Sequence, residues 1–257
     1  MPYSHPQPID KQDVLQKIRH MLPGAAALAG AAGYINSVSL GFFHTPVSHM
    51  TGAVSRMGLD AVEGRWRDTL ASFSIVLGFI LGAALAGVIV GAWKLVPGRS
   101  YGVAMMIEGL LLSLACTLLL FKTRWALPAL AMSCGLQNAM TSSYCGLIIR
   151  TTHVTGLVTD IGVMFGHWLR HRQVQAWKVR FLFIILLSFT VGGVIGAMAD
   201  LRFGPVCLVV PAAGALIGGG IYWGMHHYGL VQAIQDASPQ PPMTGSFPNF
   251  NKDDKPS

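Results

Sequence analysis

Long apolar runs alternate with short polar segments along most of the chain. Six runs have about twenty residues or more and almost no charge, so each is long enough to cross a hydrocarbon core of about 30 Å as a helix. They cover roughly residues 21–43, 69–93, 101–121, 126–149, 179–199 and 205–225. The pattern predicts six transmembrane helices, with a polar tail before them (1–20) and a disordered tail after them (237–257) that is rich in Pro, Ser and Asn.

Two shorter segments have apolar residues on one helical face only. The first, residues 53–68, aligns Val54, Met57, Ala61 and Val62 on one face. The second, residues 156–171, aligns Leu157, Val158, Ile161, Met164, Phe165, Trp168 and Leu169. Each segment predicts an amphipathic or half helix, and the first is expected to begin with Thr51 as its hydroxyl cap.

A polar phrase occurs twice, just before each amphipathic segment. His-Met-Thr-Gly at 49–52 aligns with His-Val-Thr-Gly at 153–156 at an offset of 104 residues. The apolar runs before the two copies contain Gly-Tyr-Ile-Asn, ending at Asn36, and Gly-Leu-Gln-Asn, ending at Asn138. This self-similarity indicates an internal duplication with halves 21–121 and 126–225.

The second and fifth runs carry matching pairs of small residues, Gly78-x-x-x-Gly82 and Gly192-x-x-x-Gly196. This spacing is typical of closely packed membrane helices, and it leaves open whether these faces pack within the chain or form a homodimer. Because each half contains an odd number of predicted spans, the second half must enter the membrane upside down. We therefore expect an all-α integral membrane protein built from two inverted three-helix repeats.

The composition agrees with a membrane protein, since 52% of the residues are hydrophobic and 11% are charged. The net charge of +7 does not indicate a nucleic-acid-binding protein, because the basic residues are scattered between the apolar runs. Lys and Arg in the N-terminal tail and the joints number ten on the side of the termini, with Arg180 at the edge of the fifth run included, and six on the other side. The positive-inside rule then predicts that both termini are cytoplasmic.

The sequence provides no recognisable catalytic apparatus. It contains no Walker-type loop, no nucleophile elbow and no H-E-x-x-H motif, so we expect neither an enzyme nor a cofactor. Asp160, His167 and His171 share a helical face, but the neighbouring Arg170 and Arg172 argue against a metal site. The four cysteines lie inside apolar runs without metal-type spacing.

The repeated phrases carry the chemistry most typical of solute binding. A Thr-Gly pair at a helix start offers a hydroxyl and free backbone N–H groups at the positive end of the helix dipole. The candidates for a solute path are Asn36, His49, Thr51, Gly52, Gln137, Asn138, Thr141, His153, Thr155 and Gly156. Two alternatives stay open: the Thr-Gly pairs are ordinary caps at the membrane surface, or the amides only join helices through hydrogen bonds.

Glu108 is the one carboxylate within an otherwise apolar run. An acid at this depth predicts a proton or ion contact, and Asp160 is a second candidate for that role. The alternative for Glu108 is a protonated carboxyl group that is hydrogen-bonded within the helix bundle.

The chain resembles the YoaK family of bacterial membrane proteins, a domain of unknown function. The resemblance covers most of residues 25–223 and is carried by Gly-Tyr-x-Asn at 33–36, His-x-Thr-Gly at 49–52, Gly-Leu-Gln-Asn-Ala at 135–139 and Thr-Thr-x-x-Thr-Gly at 151–156. It implies a polytopic inner-membrane protein and supplies no substrate. Many relatives carry an acid at the position of Asn36 and an Asn at the position of Ala53.

These observations predict a channel or secondary transporter for a small polar or anionic solute, located in the bacterial inner membrane. The alternative is a membrane scaffold or sensor that binds partners or lipid through its amphipathic helices. The lipid bilayer and a small solute are the expected partners.

Overall fold

The computed structural model describes residues 11–90, 99–142, 152–172 and 176–227, with only the backbone for 11–21 and 141–142. These residues form eight α-helices and one 3-10 turn, Gly204–Leu208. The helices are α1 (Lys11–Phe43), α2 (Met50–Val62), α3 (Trp66–Val90), α4 (Arg99–Leu120), α5 (Ala126–Ser142), α6 (Val154–His171), α7 (Ala176–Phe203) and α8 (Val209–His227). No strand occurs in the described ranges, so the fold there is all-α.

Several helices have the length and composition of membrane spans. Four stretches of the described chain qualify: Leu22–Phe43, Trp66–Val90, Arg99–Leu120 and Ala176–His227. The last of them has 52 residues and contains α7, the 3-10 turn and α8. Helix α5 has 17 described residues, and the rest of its apolar run lies outside the described ranges. The protein is therefore a multi-pass helical membrane protein.

The outer surface of the helix bundle is apolar. Large side chains are exposed on α3, α4, α7 and α8, including Leu77, Ile80, Leu114, Leu187, Val194 and Ile217. Polar side chains are found inside, among them Asn36, Glu108 and Gln137. Because water disfavours a continuous apolar exterior, this surface is suited to lipid.

The bundle is built from three tightly packed helix pairs, α1 with α7, α3 with α5 and α4 with α8. Glycines bring the backbones into contact. A Cβ at Gly78 would lie 2.5 Å from the carbonyl oxygen of Pro128, and one at Gly196 would lie 2.6 Å from that of Tyr34. Gly82 and Gly192 touch backbone in the same way. The small-residue pairs therefore lie at contacts within this chain.

The first two helix pairs run parallel. In the α1–α7 pair, Gly30 lies beside Gly192, and Gly41 lies beside Asp200, so the contacts advance in the same direction along both helices. The contacts between α3 and α5 advance in the same way. Parallel packing of helices that are distant in sequence means that the two halves of the chain are interleaved.

The third pair, α4 with α8, runs antiparallel. Gly102 packs against Gly219 near one end of α4, whereas Gly109, further along, packs against Ala212. The turn between α4 and α5 is short, so these two contacting helices are also antiparallel. The helices α1, α3, α4, α5, α7 and α8 therefore run alternately in opposite directions.

The ends of the helices form two groups, which are called the first end and the second end of the bundle. At the first end, Nη1 of Arg124, before α5, lies 2.9 Å from Oδ1 of Asp68, near the start of α3. The end of α1, the end of α4 and the 3-10 turn lie in this group as well, and the largest buried apolar cluster surrounds them. At the second end, the Tyr101 hydroxyl of α4 donates to the Met140 carbonyl of α5 at 2.6 Å. The start of α7 and the end of α8 belong to the second end.

The amphipathic helices differ from the sequence prediction in length and in orientation. The first was predicted through Asp68, but Gly64 adopts φ +74° and ends it, so α2 and α3 are separate helices. Its buried residues are Ala53 and Asp60, whereas Val62 is 89% exposed. On α6, Val158, Phe165, Trp168 and Leu169 are likewise exposed. Leu157 is the buried residue of α6, so part of each predicted apolar stripe is exposed and does not pack on the bundle.

The tails were predicted from composition alone. Helix α1 begins at Lys11, inside the predicted polar tail 1–20. The predicted disordered tail, 237–257, lies outside the described residues.

Candidate functional site

A cavity of about 1120 Å³ lies between α1, α3 and α5 and the first residues of α2 and α6. Both copies of the repeated phrase line it. Its polar side chains are Asn36, Ser48, His49, Thr51, Asn138, Thr152, His153 and Thr155. Two segments that lie about a hundred residues apart in sequence thus meet at one site.

The first copy reaches the cavity because the chain folds back along α1. His44 adopts φ +50° and ends the helix. The hydroxyl of Ser48 then donates to Oδ1 of Asn36 at 2.8 Å. Asn36 lies seven residues before the end of α1, about 10 Å along the helix axis. Residues 44–49 therefore form a re-entrant segment that returns into the bundle.

The second copy is held by the equivalent residues of α5. The backbone N–H of Thr152 donates to Oδ1 of Asn138 at 3.3 Å. The Asn138 side-chain amide also donates to the Thr152 hydroxyl. Asn36 and Asn138 each end a Gly-x-x-Asn motif, and Ser48 and Thr152 each precede the repeated histidine; the two residues of a pair are 12 apart in the first half and 14 apart in the second. The same contact, from a span asparagine to a hydroxyl residue that returns to it, is therefore made in both halves. The described part of the second re-entrant segment is Thr152 and His153.

Helices α2 and α6 begin at the cavity. Their N-cap residues are His49 and His153, and in neither helix does the described N-cap side chain accept a hydrogen bond from the first turn. The prediction that Thr51 is the cap was wrong, because the Ser48–Asn36 contact puts the helix start at Met50 and Thr51 in the first turn. The positive end of each helix dipole is thus directed toward the cavity.

The cavity has a polar lining without formal charge. Among the described residues that line it there is no Asp, Glu, Lys or Arg. Nδ1 of His49 lies 3.1 Å from the hydroxyl of Ser48. The cavity combines hydroxyl, amide and imidazole groups with two helix N-termini.

Three predicted solute-path residues lie elsewhere or are not fully described. Gln137 is buried outside the cavity, and its amide donates to the Leu28 carbonyl at 3.0 Å, which joins α5 to α1. Gly156 packs against the His153 ring without lining the cavity. Thr141 lies in α5, but its side chain is outside the described part of the structure.

The two predicted proton or ion residues are separated from the cavity. Glu108 is buried on α4, at 2% exposure, and does not line the cavity. Asp160 is exposed on α6 together with His167 and His171. In the described ranges, no group of three or more His, Cys, Asp or Glu side chains is arranged to hold a metal ion.

Ser48 and Thr152 are the polar lining residues that were not among the predicted solute-path residues. The repeat contained the signal that identifies them, because both hydroxyl residues directly precede the repeated histidine. Helix α3 also contributes Phe79, Ala83, Ala86 and Gly87. Its share of the wall was not predictable, since it depends on the parallel packing of α3 against α5.

The comparisons with known proteins give one match. Residues 24–221 match the model of a family described as "Protein of unknown function (DUF1275)", which confirms the family resemblance seen in the sequence. No curated protein and no solved structure matches the chain.

Proposed function

The chain belongs to the DUF1275 family, and from this premise and the cavity geometry we propose that it is a channel or secondary transporter for a small polar or anionic solute. The observation that carries the proposal is that both copies of the repeated phrase, each at a helix start, line one cavity. Irregular backbone at membrane depth is tolerated where it is buried in protein or lines a water-filled cavity.

The proposal includes six membrane spans arranged as two inverted repeats. The alternating directions of α1, α3, α4, α5, α7 and α8 support it. The pattern of helix pairs supports it as well. If the halves are exchanged, α1 corresponds to α5, α3 to α7 and α4 to α8. The α1–α7 pair then becomes the α5–α3 pair, and the α4–α8 pair becomes itself. These relations are expected of a pseudo-two-fold axis in the membrane plane.

The depth of the two asparagines supports a path through the membrane. Measured from the first end, Asn36 lies about 10 Å inside, and Asn138, twelve residues into α5, lies about 18 Å inside. The midplane of a hydrocarbon core of about 30 Å is about 15 Å from either side. Both re-entrant segments are therefore expected near the midplane, on opposite sides of it.

The lining indicates the class of solute. Without a lysine or arginine in the described wall, a multivalent anion has no counter-charge there. Each helix N-terminus acts as roughly half a positive charge, so two of them suit a single negative charge or a strongly polar neutral molecule. We place the protein in the bacterial inner membrane with both termini cytoplasmic, and no catalytic step or cofactor belongs to the proposal.

Solute flux tests the role of the two threonines. Thr51→Val combined with Thr155→Val removes two hydroxyl groups from the cavity wall at nearly constant volume. In liposomes we expect it to lower flux roughly tenfold, since two lost hydrogen bonds to solute at about 0.7 kcal/mol each correspond to that factor. The measurement is a stopped-flow assay of wild-type and variant protein with small neutral polyols, urea, acetate and nitrate.

Thr117→Val combined with Thr190→Val is the matched control, because both of these threonines are exposed on the outer surface and bond to their own helices. This control should keep wild-type flux. The proposal is wrong if none of the solutes moves faster than in protein-free liposomes, and the role of the threonines is wrong if both double variants have equal flux.

The scaffold alternative is favoured by α6, which exposes four large apolar side chains and packs mainly on α7. They are Val158, Phe165, Trp168 and Leu169. Cysteine labelling separates the two functions. In a background without native cysteines, we expect cysteines at positions 51 and 155 to react with a small permeant maleimide but not with a bulky impermeant one. Cysteines at positions 63 and 172 should react with the bulky reagent from opposite sides. Free bulky labelling of positions 51 and 155 would support the scaffold.

A further inference from the structure

Charge is distributed unequally between the two ends of the molecule. At the first end, basic and acidic side chains pair: Arg56 and Arg65 with Asp60, Arg65 with Glu63, and Arg124 with Asp68. At the second end, the sequence from residue 161 to residue 199 contains no acid. Its four basic residues, Arg170, Arg172, Lys178 and Arg180, form no ion pair within the described chain.

These four residues lie at the junction of α6 and α7, beside two tryptophans. The Arg172 guanidinium lies 5.4 Å from the centroid of the Trp168 ring, and the Lys178 ammonium lies 5.4 Å from that of Trp177. Tryptophan is enriched at the level of lipid headgroups because its ring is apolar and its N–H is polar. The junction therefore has the composition of a membrane interface.

A groove of about 550 Å³ begins beside the basic residues. It is lined by Ala176, Val179, Arg180, Phe183 and Ile184, one face of the first turns of α7. Arg180 and Phe183 are exposed. Phe183 and Ile184 lie one turn deeper along the helix than Arg180, which matches the order of phosphate and acyl chain in a phospholipid.

We propose that the first turns of α7, together with the adjoining end of α6, are a binding site for an anionic phospholipid. The phosphodiester lies against Arg180, the cation that lines the groove, and one acyl chain follows Phe183 and Ile184. Arg172 adds positive charge at the adjoining end of α6. The excess of unpaired positive charge selects an anionic headgroup over a zwitterionic one. This site is separate from the cavity and does not depend on solute transport.

The test is the binding of phosphatidylglycerol to the intact, detergent-solubilised protein, measured by native mass spectrometry at fixed ionic strength. Wild-type protein should retain phosphatidylglycerol in preference to phosphatidylcholine. Arg172→Gln combined with Arg180→Gln should weaken phosphatidylglycerol binding roughly 25-fold, because each basic residue near an anionic surface contributes about fivefold. Phosphatidylcholine binding should be unchanged.

Lys122→Gln combined with Arg202→Gln removes the same charge at the first end and is the matched control. Its phosphatidylglycerol affinity should equal that of wild type. Equal losses in the two double variants would mean that only net charge matters and would overturn the site. Equal retention of phosphatidylcholine and phosphatidylglycerol by wild type would overturn it as well. Arg180→Lys keeps the charge, so this variant should bind phosphatidylglycerol nearly as well as wild type. That result would show that the glutamine variant loses binding through its charge and not through misfolding.

Discussion

Gly82→Ala is expected to destabilise the protein by about 3 kcal/mol, near the upper end of the usual effect of overpacking. A Cβ at this position would overlap the carbonyl oxygen of Met132 and approach the backbone nitrogen of Leu136 at 2.9 Å. Backbone atoms of α5 cannot turn away as a flexible side chain can, so α3 and α5 must separate. The measurement is the thermal unfolding of purified protein in detergent, and Gly82→Leu should yield no folded protein.

Gly87→Ala is the control, because Gly87 lies on the same helix and a Cβ there meets nothing within 4 Å. Alanine favours the helix over glycine by about 1 kcal/mol, so this variant should melt at or above the wild-type temperature. Gly196→Ala repeats the test in the other half, against Tyr34, and should also be destabilising. Equal melting temperatures for the Gly82→Ala and Gly87→Ala variants would contradict the close contact between α3 and α5.

Much of the fold follows from periodicity and repetition. The predicted spans begin or end within a few residues of α3, α4, α7 and the 3-10 turn, since runs of apolar residues are bounded by charges that lipid excludes. The repeat identified the two segments that meet at the cavity. What remains a prediction is the number of membrane crossings and their orientation.

The faces of the amphipathic helices were not predictable from their pattern. A hydrophobic stripe shows that a helix has two unlike environments, but it does not show which of them is the protein. Asp60, which is not part of the apolar stripe, is 1% exposed beside Arg56 and Arg65, whereas Val62, which is part of it, faces outward. In lipid the usual relation between polarity and burial is reversed, so only tertiary contacts decide.

The roles of the amides also required the structure. Asn36, Gln137 and Asn138 look alike in sequence, each an amide in an apolar run. Gln137 bonds to the backbone of α1, whereas the two asparagines bond to re-entrant segments. Adjacent helical residues point about 100° apart, so Gln137 and Asn138 reach different neighbours. The repeat indicated that Gln137 differs from the two asparagines, because Ile35 occupies the corresponding position in the Gly-x-x-Asn motif of the first half.

Asn36→Leu combined with Asn138→Leu is expected to lower solute flux roughly a hundredfold, the factor that corresponds to about 3 kcal/mol. Each substitution leaves a hydroxyl residue of a re-entrant segment without its partner, Ser48 in one half and Thr152 in the other. Both helix N-termini then lose their fixed position at the cavity. Flux is measured in liposomes and normalised to the amount of folded, inserted protein.

Two further variants decide whether the asparagines act through the re-entrant segments. Gln137→Leu removes a buried amide next to Asn138 but outside the cavity, so it should lower the melting temperature and leave normalised flux within about twofold, since no cavity group is lost. Asn36→Asp keeps an oxygen that accepts from Ser48, and it should therefore retain most of the flux that Asn36→Leu loses. If Gln137→Leu impairs normalised flux as strongly as Asn138→Leu, the amides act only by holding the bundle together, and the cavity is not the path.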